Sequence, residues 1–304
     1  VNLLRALEDL GATVRSERGN DCVPLTITGP LSGGPVTVKS PTSQYLSSLL
    51  LAAGLTDQGM QIDVPLLNER PYVEMTLDWL ARQGVTVRRD TWHRFEIDGG
   101  HSYRPFDHTV EGDYSSATFL FAAAAVTGST ISVEGLQSDD SQGDRQVLAI
   151  FEGLGCTVVR EETRATVNGP ADGTLAGGEF DLNDMPDALP ALAIVGTCCS
   201  EPLRLVNVPQ ARQKETDRIT VMQTVIEQLG GTARELPDGL IIEPGRLSGG
   251  TVRSYDDHRV AMAAAVAGLA ASAPVTVEAA EVASITFPGY YELLRSAGVD
   301  VAEV

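Results

Sequence analysis

The chain has 304 residues, 43% of them hydrophobic, enough for two domains with cores of their own. No apolar run reaches the roughly 18 to 20 residues of a membrane span, nothing at the start reads as a signal peptide, and the cysteine usage described below fits a cytoplasmic protein. A net charge of −19 argues against nucleic acid and acidic membranes as partners. A small anion remains acceptable wherever cations and helix N-termini converge.

Val1 falls inside a helical pattern of Leu3, Leu4, Leu7 and Leu10, so the chain is expected to begin part-way through a longer protein. Four later segments share a polar helix start, an Ala/Leu-rich buried helix, a small-residue turn and a short β-branched strand. They run from Thr42 to Val64, Gly112 to Val133, Met185 to Val206 and Asp256 to Val277. Starts at 42, 113, 185 and 256 are spaced by 71, 72 and 71 residues, the mark of an internal repeat. A second unit alternates with these: an amphipathic helix ending near Gly11, Gly84, Gly155, Gly230 or Gly298, then two strands. Val85–Arg89, Thr157–Arg160 and Thr232–Glu235 are the first strands of three such pairs.

Each period therefore reads as βαβαββ, an α/β (α+β) chain. Gly99-Gly100, Pro105 and the polar stretch from Ser102 to Thr109 interrupt the pattern, giving a first domain over 1–109 and a second over 110–304. Cys22, Cys156, Cys198 and Cys199 lack metal-ligand spacing, and Cys198-Cys199 lies in an apolar helix-like run, which predicts free thiols.

Lys214-Glu215-Thr216-Asp217-Arg218 stands out. Of 22 basic residues only Lys39 and Lys214 are lysines. The cluster opens an apolar-periodic run (Ile219, Val221, Met222, Val225, Ile226, Leu229) closed by Gly230-Gly231, which predicts the first turn of an amphipathic helix. Local spacing also fits an exposed helix start with Glu215 and Arg218 paired at i,i+3. Asp187 after Pro186 reads as an N-terminal carboxylate, Thr42 and Ser43 as caps, and Asp257-His258-Arg259 as a solvated first turn. Gly112-Asp113 and Gln142-Gly143-Asp144 read as turns between units.

Taken together and in order, these motifs resemble a known family. The Lys-Glu-Thr-Asp-Arg signature, Pro41-Thr42-Ser43-Gln44, Arg70-Pro71-Tyr72, Val110-Glu111-Gly112-Asp113, Met185-Pro186-Asp187-Ala188, Asp257-His258-Arg259 and Thr286-Phe287-Pro288 are similar to those of enolpyruvyl transferases, specifically the 5-enolpyruvylshikimate-3-phosphate synthases. The resemblance implies six βαβαββ units in two domains, an inside-out barrel, of which the first one and a half units are missing here. The chain alone is then expected to be inactive, and the completed protein to be a monomer.

It also implies a reaction: phosphoenolpyruvate is joined to shikimate 3-phosphate and phosphate leaves, through a tetrahedral intermediate, with no cofactor or metal. Asp187 is implied as the base at the shikimate hydroxyl and Glu215 as the group handling the proton at the phosphoenolpyruvate methylene. Lys214, Thr42, Ser43, Gln44, Tyr72 and Gln210 are implied on the shikimate 3-phosphate side. Arg218 and Arg259, with His258 beside them, are implied on phosphoenolpyruvate, the helix starts meeting at one cleft between domains.

Three positions depart from the family pattern. Glu69 replaces a phosphate-binding serine and is expected to repel phosphate unless it turns outward or pairs with Arg70. Ile285 replaces a lysine near phosphoenolpyruvate, and Gln210 an asparagine. Two other readings compete: a sister enzyme acting on a UDP-sugar, and a non-catalytic paralogue that binds an anion.

Overall fold

The repeat read from the sequence takes shape as small sheets with a fixed strand order. In the computed structural model, which describes residues 2–303, Val1 and the helical start expected there lie outside the described residues. The chain forms two units, one reaching to Thr109 and including Ser141–Gly143, the other comprising Val110–Asp140 and everything from Asp144 onward.

In the first unit α1 (Asn2–Asp9) leads into an antiparallel pair, β1 (Thr13–Ser16) and β2 (Leu25–Thr28). One complete repeat follows: β3 (Gly34–Thr37), α2 (Ser43–Ala53), β4 (Met60–Asp63), α3 (Arg70–Arg82), β5 (Val87–Thr91) and β6 (Arg94–Ile97). The sheet order is β3-β4-β6-β5, with β3 and β4 parallel and the other pairs antiparallel. The parallel pair needs a crossover, and α2 supplies it. Strand β5 starts at Val87 rather than at Val85, because the Val85 N–H is spent on Leu80 O at 2.9 Å, closing α3.

The second unit opens with α4 (Tyr114–Thr127), β7 (Thr130–Glu134), α5 (Val147–Gly153), β8 (Thr157–Arg160) and β9 (Arg164–Asn168), an antiparallel sheet of order β7-β9-β8. A second complete repeat comes next: β10 (Gly178–Asp181), α6 (Leu189–Gly196), β11 (Leu203–Val206), α7 (Arg218–Gln228), β12 (Thr232–Leu236) and β13 (Gly239–Glu243), ordered β10-β11-β13-β12. The chain closes with β14 (Gly250–Arg253), α8 (His258–Ala270), β15 (Val275–Glu278) and α9 (Tyr290–Ser296), β14 and β15 being parallel.

Helices α4, α6 and α8 pack against one another at the centre of this unit. Every residue of α6 is buried, as are nine residues of α8, from His258 to Ala267. Apolar residues all round a helix leave it no face for water, and the many alanines let neighbours approach closely. Gly196 shows how tight this is: a Cβ there meets Ile242 Cβ on β13 at 2.9 Å. The five repeat glycines Gly11, Gly84, Gly155, Gly230 and Gly298 all have positive φ, ending α1, α3, α5, α7 and α9 in the left-handed turn that glycine adopts without a Cβ clash.

Two expectations are corrected. Helix α7 begins at Arg218, not at Lys214. A 3₁₀ turn over Pro209–Gln213 ends with Lys214 in extended backbone, and Asp217 is the cap, accepting from Thr220 N at 3.2 Å. Lys214 and Glu215 therefore sit on the approach to the helix. Cys198 and Cys199 follow α6 instead of lying in it; all four cysteines are free, and burial pushes the Cys199 thiol up to about 12. No helix among the described residues is long and apolar enough to cross a membrane.

Candidate active site

Arg218, the first residue of α7, is 1% exposed, and such burial of a guanidinium demands anionic partners. Three carboxylates supply them. Nε and Nη2 donate to the two oxygens of Asp257 at 2.8 and 3.2 Å, Nη1 donates to Asp187 Oδ1 at 2.6 Å, and Nη2 donates to Glu215 Oε2 at 2.5 Å. Arg259 Nη2 donates to the other Asp187 oxygen at 2.7 Å. A helical side chain leans toward the N-terminus of its own helix, so Arg218 reaches back over the start of α7 and meets the starts of two other helices.

Each carboxylate is placed by local structure. Asp257 caps α8, accepting from Arg259 N at 2.9 Å while gripping Arg218. Asp187 sits in the 3₁₀ turn Pro186–Ala188 that leads into α6. Glu215 lies three residues before Arg218 and is the most exposed of the three, at 44% of its side chain. Asp257-His258-Arg259 is buried rather than solvated, because it starts α8, one of the three helices packed together at the centre of the unit.

Electrostatics follow from this packing. Burial alone raises the Asp187 carboxyl, but the Arg259 and Arg218 charges, with a smaller contribution from Lys214, hold it far below the usual carboxylate range. Burial, then Arg259, pushes His258 below its ordinary value against the opposing pull of Asp257 and Glu215, leaving a neutral imidazole at pH 7. Asp187, Lys214, Glu215, Arg218, His258 and Arg259 thus share one electrostatic neighbourhood. Gln210 is buried nearby in sequence: its Nε2 donates to Asn183 O at 2.9 Å, and its Oε1 is buried with no hydrogen-bond partner among the described residues.

Thr42, Ser43, Gln44 and Tyr72 belong to the first unit. Thr42 caps α2, its hydroxyl accepting from Gln44 N at 3.3 Å; Ser43 is buried, Gln44 exposed and Tyr72 half-buried at the start of α3. The β3–β4 pairing continues past the strands through a Ser40–Leu67 bridge, and Asn68 Nδ2 donates to Pro41 O at 3.1 Å. These contacts bring Glu69 over the start of α2. Glu69 neither turns outward nor takes Arg70 along: it is 1% exposed, and its Oε2 accepts from Ser43 N at 3.0 Å and from Ser43 Oγ at 2.8 Å. Arg70 instead lies over the Trp92 ring at 5.7 Å.

A sequence model of the EPSP synthase (3-phosphoshikimate 1-carboxyvinyltransferase) family matches residues 1–294. The chain belongs to the EPSP synthase family. The 3-phosphoshikimate 1-carboxyvinyltransferase of Ruminiclostridium cellulolyticum is 41% identical over 296 residues, 97% of this chain and 69% of that protein. Its counterpart in Halobacterium salinarum is 37% identical over 98% of this chain and 71% of that protein. Among solved structures, EPSP synthase from Acinetobacter baumannii superposes with a TM-score of 0.78 at 26% identity, covering 97% of this chain and 70% of that one. The enolpyruvyl transferase NikO from Streptomyces tendae also gives 0.78, covering 98% of this chain and 71% of that one, at 19% identity, a likeness of fold alone.

Sequence reasoning misses two residues here. From sequence Asp257 reads only as part of a helix start, although an aspartate at a cap next to an arginine can serve two donors at once. From sequence Glu69 reads as a charge that repels phosphate, although serine hydroxyls and helix N–H groups are themselves partners for a carboxylate. Ile285, the last residue of the 3₁₀ turn Ala280–Ile285, is 70% exposed, an apolar side chain in water.

Proposed function

We propose that the chain carries the chemistry by which the enolpyruvyl group of phosphoenolpyruvate passes to the 5-hydroxyl of shikimate 3-phosphate, with release of phosphate. The observation that carries the residue roles is the Arg218 constellation. One buried guanidinium orients two carboxylates of unequal access, Asp187 at 17% and Glu215 at 44% side-chain exposure. In the addition step the substrate oxygen bonds to C2 of phosphoenolpyruvate, its proton passes to Asp187, and Glu215 delivers a proton to C3. In elimination the C2–O bond to phosphate breaks, C3 returns a proton to Glu215, and the proton held by Asp187 balances the departing phosphate.

Asp187 clamped by two arginines is a weak base at rest. Phosphoenolpyruvate brings a carboxylate and a phosphate, the groups that guanidinium forks fit best. As Arg218 and Arg259 turn to that ligand, Asp187 loses cationic partners and gains basicity where a proton must be taken. Neutral His258 stands beside them as a hydrogen-bonding group. Lys214, Thr42, Ser43, Gln44 and Tyr72 hold shikimate 3-phosphate, making the first unit its side, and Gln210 Oε1 accepts from a substrate hydroxyl. The protein works in the cytoplasm as a monomer without cofactor.

The experiment is phosphate release by the protein that carries this chain, given both substrates, each alone, or a UDP-sugar in place of shikimate 3-phosphate. Release that needs both phosphoenolpyruvate and shikimate 3-phosphate supports the reading. Release with the UDP-sugar favours the sister activity, and binding without release the non-catalytic one.

A further inference from the structure

The start of α2 already holds an anion of the chain's own. Ser43 N–H and Ser43 Oγ both donate to Glu69 Oε2, at 3.0 and 2.8 Å, in a spot where Glu69 is 1% exposed and Ser43 4%. The position is held firmly: Glu69 is the residue before α3, with φ 58° and ψ 45°. That left-handed conformation is unfavourable for a residue with a side chain, so the surrounding contacts must enforce it. Those contacts are the Ser40–Leu67 bridge and the Asn68–Pro41 bond one residue earlier. A serine at this position extends no charge toward α2.

We propose that Glu69 is a specificity-determining residue that lowers the preference for a phosphorylated substrate over the same molecule with a free hydroxyl. The inference rests on the reading above that Thr42 and Ser43 receive the phosphate of shikimate 3-phosphate. A phosphate dianion arriving there finds the Ser43 donors taken and a carboxylate at hydrogen-bond distance from its seat. Two anions cannot share those donors without repulsion, which is strong where water is scarce. An ionised carboxylate has only acceptor oxygens, so what it welcomes is a donor, such as the 3-hydroxyl of unphosphorylated shikimate. Shikimate 3-phosphate then binds only by displacing Glu69, whereas shikimate meets no such competition.

The test is calorimetric binding of shikimate 3-phosphate and of shikimate to the protein that carries this chain, comparing the unaltered form with Glu69→Ser, Glu69→Gln and Lys214→Ala. Glu69→Gln removes the charge and keeps the shape, so it covers the case in which the serine variant fails to fold. The expected result is a rise of about tenfold or more in the affinity ratio of phosphorylated to unphosphorylated ligand, the size of one charge-assisted hydrogen bond, in either Glu69 variant. A ratio unchanged within about twofold, or a fall, overturns the inference. If the Glu69 variants leave the ratio unchanged while Lys214→Ala weakens shikimate 3-phosphate, only the role of Glu69 fails. If Lys214→Ala also has no effect, or shikimate 3-phosphate binds to no form, the assignment of the substrate site fails with it.

Discussion

Arg218 and Asp187, 31 residues apart, are joined by a 2.6 Å ion pair in which the arginine is 1% and the aspartate 17% exposed. The same guanidinium holds Asp257, which is 0% exposed. Removing the cation leaves Asp257 buried without its guanidinium and Asp187 with Arg259 alone of the two arginines, and breaking a buried pair typically costs about 3 to 5 kcal/mol. Arg218→Met is therefore expected to lower the unfolding free energy of the second unit by about that amount, read from urea denaturation. Arg218→Lys is expected to recover only part of it, since an ammonium cannot fork across three carboxylates. A loss below about 1 kcal/mol for the methionine variant contradicts this reading.

Acid sensitivity follows from the directions of two shifts. Asp187 is held below the usual carboxylate range by Arg259 and Arg218 in spite of its burial. Its stabilising contribution is complete above the unfolded value near 3.9 and is lost as pH falls below it. Burial and Arg259 also lower His258, so from about pH 6.5 downward the unfolded state takes up the imidazole proton before the folded one does. Stability thus begins to fall below about pH 6.5 on account of His258, and further below about pH 4 on account of Asp187. Urea midpoints measured from pH 7 to 3 should show both limbs. His258→Gln should flatten the upper one and Asp187→Asn the lower; variants that keep both slopes contradict the assignment.

The repeat was legible because its determinants are local. Spacing by one period, apolar helices and a glycine after every second helix each act within a few residues, and Gly11, Gly84, Gly155, Gly230 and Gly298 all adopt the positive φ such a role requires. The polar cluster was legible as a motif but not as geometry. Nothing in Lys214 to Arg218 says that the helix waits until Arg218, because the turn before it is set by Pro209–Gln213. The contact between Glu69 and Ser43 depends on strand pairing that runs on past β3 and β4, a tertiary fact with no local signature. Burial of Asp257 is equally non-local, since it comes from an arginine 39 residues earlier.

Ile285 offers a gain-of-function prediction. Where the family resemblance implies a lysine near phosphoenolpyruvate, an exposed isoleucine neither donates a hydrogen bond nor offsets charge. A charge-assisted contact is worth roughly 1.5 to 3 kcal/mol, and at 70% exposure solvent screening favours the low end. Ile285→Lys is expected to lower KM for phosphoenolpyruvate about tenfold and leave KM for shikimate 3-phosphate unchanged. Steady-state kinetics with each substrate varied in turn checks this, and an unchanged phosphoenolpyruvate KM means that Arg218 and Arg259 already meet the charge demand.

Glu215 carries the central claim, that this constellation moves the proton at the phosphoenolpyruvate methylene. It is the most accessible of the carboxylates on Arg218, held at 2.5 Å by Nη2, and it stands outside the helix, on the approach to α7. Turnover and shikimate 3-phosphate affinity of Glu215→Gln, measured together by phosphate release and calorimetry, test the claim most directly. Turnover is expected to fall about 10²- to 10⁴-fold with affinity changed by less than about twofold. Unchanged turnover, or a loss of affinity large enough to explain the loss of rate, contradicts it.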